Sequence, residues 1–274
     1  MRMRNSIGSL SFLALLATMS AAAAFDETKY PDLKGQWLRV GAPNGVGPGQ
    51  KPPLTPEYQV IFDANLADQA AGGHGTEPSY ACLSPGMPRI MNDYTQMEII
   101  VTADTTYVLI DHINDNRRIF TDGRDWPAEE DPTFRGYSIG QWIDTDGDGR
   151  YDTLEVETRN LKGPRAYDTT GLPLHSDNQT IVKERVYLDK ADGDLLHDDI
   201  TTIDHALTGP WTVAKTYRRN KNPRPSWVEM NCAENNQHIR IGTENYFISA
   251  EGLLMPAKKD QAPPDLRYFK SSKK

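Results

Sequence analysis

From residue 96 onward, apolar and polar side chains alternate in short runs, the period-two pattern of strands with one face buried. Such runs fall at residues 97–102, 106–111, 117–121, 137–143, 153–158, 180–188, 195–203 and 211–217, with further candidates at 227–230 and 239–241. Turn clusters separate them, among them Asn114-Asp115-Asn116, Asp146-Gly147-Asp148-Gly149 and Ala191-Asp192-Gly193-Asp194. The N-terminal part reads differently. Residues 34–40 form a first strand anchored by Trp37, residues 41–53 are a Gly- and Pro-rich loop, and Thr55-Pro56-Glu57 opens a helix. Thr55 can cap it and Pro56 suits the first helical position. Tyr58, Ile61, Phe62 and Leu66 recur at helical spacing until Gly72 and Gly73 end it. Residues 74–88 are again irregular.

Sequential strands with short connections pair antiparallel, and closing the meander removes its edges. The expectation is an all-β domain with one short N-terminal helix: eight to ten strands in a barrel or strongly curled sheet. Helix–strand alternation, internal repeats and an interdomain linker are absent from the pattern. One domain over residues 25–268 is expected, with a frayed Lys-rich tail at 269–274.

The first 24 residues read as a signal. Arg2 and Arg4 precede a short apolar run, and Ala22-Ala23-Ala24 offers a cut before Phe25. The alternative is an uncleaved anchor, but the run is short for a span of about 20 residues. No second stretch approaches membrane length, so no membrane span is expected and the bacterial periplasm is the expected compartment. Cleavage takes the formal charge from −8 to −10. An acidic chain without a basic stripe is a poor nucleic-acid binder. Cys82 and Cys232 can close a disulfide in that compartment, contributing about 2–4 kcal/mol; the alternative is a thiol nucleophile.

The ordered set Cys82-Leu83-Ser84-Pro85-Gly86-Met87-Pro88-Arg89-Ile90-Met91, Arg117-Arg118-Ile119-Phe120-Thr121-Asp122-Gly123-Arg124 and Gly136-Tyr137-Ser138-Ile139-Gly140-Gln141-Trp142 resembles an uncharacterised family of exported bacterial proteins. Asp152-Thr153-Leu154, Leu174-His175-Ser176 and Pro210-Trp211-Thr212 extend the resemblance, which covers roughly residues 50–220. It implies export and a β-rich fold and carries no reaction. Gly35-x-Trp37 also resembles the opening of lipocalins, which colours the barrel expectation as lipocalin-like. Relatives of that exported family cross from Trp142 to the next strand by a short turn, and here residues 143–151 lengthen it.

The lengthened turn carries the sharpest chemical signal. Asp144, Asp146, Asp148, Gly149, Arg150, Asp152 and Glu155 occupy positions 1, 3, 5, 6, 7, 9 and 12 of a calcium loop. Alternate side chains converge on one centre, the Arg150 carbonyl supplies a backbone oxygen, and Glu155 closes the shell. Strand-like flanks point to a calcium-clamped hairpin and a structural ion. The competing reading is a solvated Asp-Gly hairpin with Glu155 pointing along its strand.

No His-x-His, His-Glu-x-x-His, Cys-x-x-Cys, nucleophile elbow, Walker loop or dinucleotide fingerprint is present in the sequence. A cofactor-independent enzyme must therefore draw on scattered residues: Asp122, Arg124, Tyr137, His175, Glu184 and Asp204. His175 can act as base or acid near neutrality, Arg124 or Tyr137 can hold an anionic or hydroxylated group, and a carboxylate can orient the imidazole. The plainer alternatives are a loop histidine bonded to backbone and, at Asp122-Gly123-Arg124, a turn with a local ion pair. Glu184 and Arg185 alternate, placing one in a lumen and the other in solvent. Trp37, Trp126, Tyr137, Trp142, Trp211 and Tyr217 can line a ligand cavity or fill a core. Two readings follow: a binding or carrier barrel for an amphipathic or aromatic small molecule, or a lyase, isomerase or hydrolase acting on a sugar or phenolic substrate. A third is an envelope protein acting through surface contacts.

Overall fold

The computed structural model describes residues 25–41, 50–73, 75–92, 96–111, 116–228, 238–241, 244–249 and 253–264. The signal segment, the 269–274 tail and Cys232 lie outside them. Nine strands close into a barrel in chain order: β1 (Gln36–Val40), β2 (Gln96–Val101), β3 (Thr105–Ile110), β4 (Asn116–Phe120), β5 (Tyr137–Ile143), β6 (Thr153–Arg159), β7 (Ile181–Leu188), β8 (Leu195–Ile203) and β9 (Trp211–Arg219). β9 returns to pair with β1, with Leu38 opposite Arg218.

Parity decides one feature that differs from the expected antiparallel meander. A closed ring of alternating strand directions needs an even number of strands, so nine strands force a parallel seam. It falls between β4 and β5, where only Ile119↔Ser138 and Phe120↔Ile139 are in register. The chain must then travel back along the barrel between these strands, which residues 121–136 do. Gly140 lies on the inner wall of this seam, where a Cβ would come within 2.7 Å of the Ile119 side chain. Residues 227–228, half of one candidate strand, are not strand, and residues 229–230 lie outside the described residues.

Alternation along each strand sorts the side chains. On β8, Leu196, Asp198, Ile200 and Thr202 are buried, while His197, Asp199 and Thr201 are not. Trp37, Ile119, Leu154, Leu196 and Tyr217 belong to the main core. Trp142 joins it, and Trp211 belongs to a second cluster with Tyr167, Leu172 and Leu174. Of the six aromatics, Trp126 and Tyr137 stay at the surface. One end of the barrel is stoppered by the motif that reads as irregular. Met87, Arg89, Ile90, Met91 and Asn92 are all buried, Tyr217 donates to the Met91 carbonyl (2.6 Å), and Asn92 donates to the Tyr167 carbonyl (2.7 Å). Gly86 makes this possible, because at φ +60° it sits where a Cβ would meet the Phe134 carbonyl at 2.0 Å. Cys82 ends the preceding 3-10 turn in a left-handed conformation (φ 58°).

Behind the stopper, the void lined by Leu33, Met97, Val108, Arg117 and Asp198 among others measures only about 10 Å³. That is too small for an organic ligand. The interior is also charged. Arg117 on β4 forms a bidentate pair with Glu184 on β7 (2.7 and 2.5 Å) and donates to Thr158 on β6 (2.9 Å) and Ser138 on β5 (3.4 Å). One guanidinium thus ties four consecutive strands and bridges the short parallel seam. Asp198, wholly buried, has its carboxyl held well above the usual range, first by burial and then by Glu184.

The helix α1 (Pro56–Ala70) starts as expected, with Pro56 in its first turn and the Thr55 hydroxyl accepting from the Tyr58 amide. Its packing differs from a simple apolar stripe: Ile61 and Leu66 are exposed, and the buried residue is Asn65. Asn65 donates to the Thr170 carbonyl (2.5 Å) and accepts from the Thr76 amide (2.6 Å), so a hydrogen-bonded pin replaces part of the apolar face. Phe62 and Leu54 rest on the second cluster. A small sheet, β10 (His238–Ile241), β11 (Glu244–Ile248) and β12 (Leu254–Pro256), lies outside the barrel. Lys258 joins it to Asp68 of α1 (3.0 Å). No described helix is long and apolar enough to cross a membrane.

Removing one partner of the Arg117–Glu184 pair leaves a buried charge uncompensated. Glu184→Leu is expected to destabilise the barrel by about 3–5 kcal/mol in urea unfolding, and the Arg117→Leu/Glu184→Leu double variant by clearly less. A double variant no more stable than the single one would refute this.

Candidate functional site

A far roomier concavity than the lumen void lies on the outside. A groove of about 1180 Å³ runs over the outward face of β5–β9. Its floor is a charge ladder that follows from strand register. Glu155 and Glu157 on β6 stand opposite Arg185 and Lys183 on β7, and they pair at 3.4 and 3.3 Å. Thr201 and Thr212 continue it, with their hydroxyls 2.7 Å apart. At one end Tyr30 packs edge-on to Trp142 (5.5 Å between centroids) and lies beside Tyr151 (5.0 Å).

The other border is the crossing loop imposed by the parallel seam. Here the Arg124 guanidinium grips Asp122 (2.9 and 2.7 Å) and lies 3.9 Å over the Phe120 ring, which packs on Tyr137 at 4.9 Å. The hydrogen bond from Arg124 pulls the Asp122 carboxyl down to about 2. Arg124 is shifted upward in turn by Asp122 and then by a hydrogen bond with Tyr137. Three of the six expected catalytic candidates, Asp122, Arg124 and Tyr137, therefore come together, the first two lining the groove and Tyr137 the adjoining hollow beside Trp126. They form a fixed cation beside an aromatic pair.

The other three do not present side chains there, although Glu184 contributes to the groove's lining between Lys183 and Arg185. Glu184 is buried against Arg117 while Arg185 faces the groove, the division that alternation predicts. His175 and Asp204 are adjacent, the His175 amide donating to Asp204 Oδ1 (2.9 Å), but His175 does not line the groove. Asp204 is buried in an ion pair with Arg165 (3.7 Å).

The acidic turn lies between β5 and β6. Asp144 accepts from the amides of Gly147 (2.7 Å), Asp148 (3.3 Å) and Gly149 (2.8 Å). These bonds, that from Gly149 foremost, lower its pKa. Gly147 and Gly149 adopt φ of +79° and +88°, the left-handed conformations this wrap requires. Asp152 is held by the Thr145 amide and hydroxyl (3.1 and 2.5 Å). Oxygens of Asp144, Asp146 and Asp152 come within 4.8 Å of one another. Asp148 instead accepts from the Arg150 amide (2.8 Å), and Glu155 turns across to Arg185 on β7. Three of the five expected carboxylates converge and two do not.

No family model matches the chain, and no curated protein is found as its relative. Sequence reasoning passes over the groove floor and Tyr30. The signal lay in Glu155-x-Glu157 and Lys183-x-Arg185, two outward pairs of opposite charge whose meeting depends on the β6–β7 register.

The Asp122 carboxylate is favoured by its contact, so the contact persists as pH falls until about 2 and weakens below that. Carboxyl chemical shifts followed by NMR should titrate Asp122 near 2 in the native protein. In Arg124→Gln the midpoint should rise toward the ordinary value of about 3.9. An unchanged midpoint in the variant would show that Arg124 is not the cause.

Proposed function

We propose that this chain is a periplasmic binding protein that uses the outer groove of its barrel for an amphipathic small molecule. One observation carries the reading: the lumen void is about 10 Å³ whereas the outer groove measures about 1180 Å³. A ligand with a ring and several hydrogen-bonding groups suits it. The Tyr30–Tyr151–Trp142 end offers faces and edges for a ring, and the Glu, Lys, Arg and Thr floor offers donors and acceptors. Aryl glycosides and short oligosaccharides have this chemistry. Export is supported by the signal-like start and by the resemblance of residues 50–220 to exported proteins. A Cys82–Cys232 bridge is consistent with that compartment. The enzyme reading with His175 is less well supported, because its partner Arg124 lines the groove and His175 does not.

In the same reading the acidic turn takes a calcium ion through Asp144, Asp146 and Asp152, stiffening the β5–β6 hairpin that forms part of the groove floor. The fit is partial but chemically sound: three hard oxygen donors converge in a hairpin whose backbone already wraps one of them.

Titration of the secreted chain with a panel of aryl glycosides, followed by backbone NMR, should perturb residues 139–142, 155–157 and 183–185. Tyr151→Ala and Arg124→Gln should each weaken the response at least about tenfold, equivalent to about 1.4 kcal/mol. Perturbations confined to lumen residues, or none across the panel, would dismiss the groove. Separately, calcium added after chelation should raise the melting temperature, by an increment worth about 2.7 kcal/mol at a hundredfold excess over Kd. Asp144→Asn, which keeps an oxygen for the amides, should abolish the rise. A native protein indifferent to calcium disposes of the ion site and leaves the groove standing.

A further inference from the structure

A second polar cluster lies on loops that neither the groove nor the acidic turn uses. His175 and Asp177 sit in the connection leading into β7, and His205 sits in the turn between β8 and β9. Asp177 Oδ2 is 2.7 Å from His205 Nδ1 and 3.1 Å from His175 Nδ1. One ligand atom from each residue falls within 4.8 Å of the others. We infer that His175, Asp177 and His205 form a solvent-open binding site for a divalent transition metal ion of the zinc type.

The donor set is the first argument. Two imidazoles and one carboxylate suit zinc, cobalt, nickel or iron, whereas calcium and magnesium prefer all-oxygen shells. The second argument is the local electrostatics. The Asp177 amide donates to His175 Nδ1 (3.1 Å), so this is the acceptor nitrogen of the ring, and an ion bound there takes the place of the amide proton. The same nitrogen stands 3.1 Å from the Asp177 carboxylate. The Asp177 carboxylate oxygen thus has an imidazole nitrogen on each of two sides, that of His205 at 2.7 Å and that of His175 at 3.1 Å.

The third argument is what lies underneath. Asp204 and Arg165 are buried as a pair, and nearly all their hydrogen bonds go to the loops that carry the three ligands. Asp204 Oδ1 accepts from the amides of His175 (2.9 Å) and Ala206 (2.8 Å), while Oδ2 accepts from the Thr180 hydroxyl (2.5 Å). Arg165 donates to the carbonyls of His175 (2.5 Å), Asp177 (3.0 Å) and Leu161 (2.7 Å). One carboxylate therefore fixes the backbone on both sides of the cluster, and one guanidinium fixes the peptide units of two ligands. Ligands held on rigid backbone lose little freedom when an ion arrives. Tyr58 of α1 flanks His175, with ring centroids 5.9 Å apart, and limits how the imidazole can turn. The His205 side chain is 65 % exposed, so coordination positions opposite the protein face water. Three protein ligands with open positions can accept a water or a ligand atom.

Calorimetric titration of the metal-stripped secreted chain with zinc chloride, in excess calcium to saturate the acidic turn, tests this. One equivalent should bind. His205→Ala, at an exposed position and expected to keep the native circular dichroism spectrum, should weaken binding at least about 100-fold, beyond what loss of an outer-shell partner costs. Asp144→Asn should bind as the native protein does. Cobalt in place of zinc should give a visible ligand-field spectrum that disappears in His205→Ala. Absence of binding, native-like binding by His205→Ala, or loss of binding in Asp144→Asn instead would each overturn the assignment.

Discussion

The barrel depends on the guanidinium of Arg117. Nine strands cannot close without a parallel seam, and the seam at β4–β5 is in register over just two residue pairs. Arg117 reaches from β4 past β5 and β6 to Glu184 on β7, and it meets a hydroxyl on each intervening strand. Burying two charges costs several kcal/mol per ion, which is offset only when geometry is close to ideal and the remaining donors are satisfied. Both conditions hold here, so the pair acts as a staple where the backbone ladder is thinnest. It also makes the lumen polar and crowded.

That crowding moves recognition outward. A barrel whose interior holds an ion pair, a buried Asp198 and a stopper of Met87, Ile90 and Met91 has no room for cargo. Its outer wall, by contrast, carries paired charges across β6 and β7 and a border of aromatic rings. The same parity that requires the parallel seam requires a long crossing loop, and that loop supplies Asp122 and Arg124 to the groove. Closure and site are consequences of one topological constraint.

Buried ion pairs serve a second purpose at the loop end. Arg165 and Asp204 bond chiefly to backbone and to the Thr180 hydroxyl, so they organise two connections distant in sequence around a common point. The acidic turn between β5 and β6 is organised differently, by glycines in left-handed conformations and amides wrapped on Asp144. One arrangement presents imidazole nitrogens and the other carboxylate oxygens, so the two favour different ions.

Local chemistry alone determined much of this protein. Period-two alternation located all nine barrel strands to within a residue or two, Thr55 and Pro56 marked the start of α1, and the Asp spacing marked the turn after β5. These features depend on neighbours in the chain, where pattern and conformation are directly linked. Other features depend on residues that meet only after folding. Strand count fixes parity, and no window of sequence reveals that β4 and β5 run parallel. Asn65 pins α1 because Thr170 and Thr76 arrive beside it, against the apolar spacing of Ile61 and Leu66. The expected catalytic set separated into rim, lumen and loop because alternation turns Glu184 inward while the crossing loop carries Arg124 outside. His175 and His205 lie in different connections, which the β7–β8 register brings side by side and the buried Arg165–Asp204 pair fixes. Short-range periodicity is written in the chain, whereas convergence of distant side chains is decided by closure of the sheet and by what its interior must neutralise.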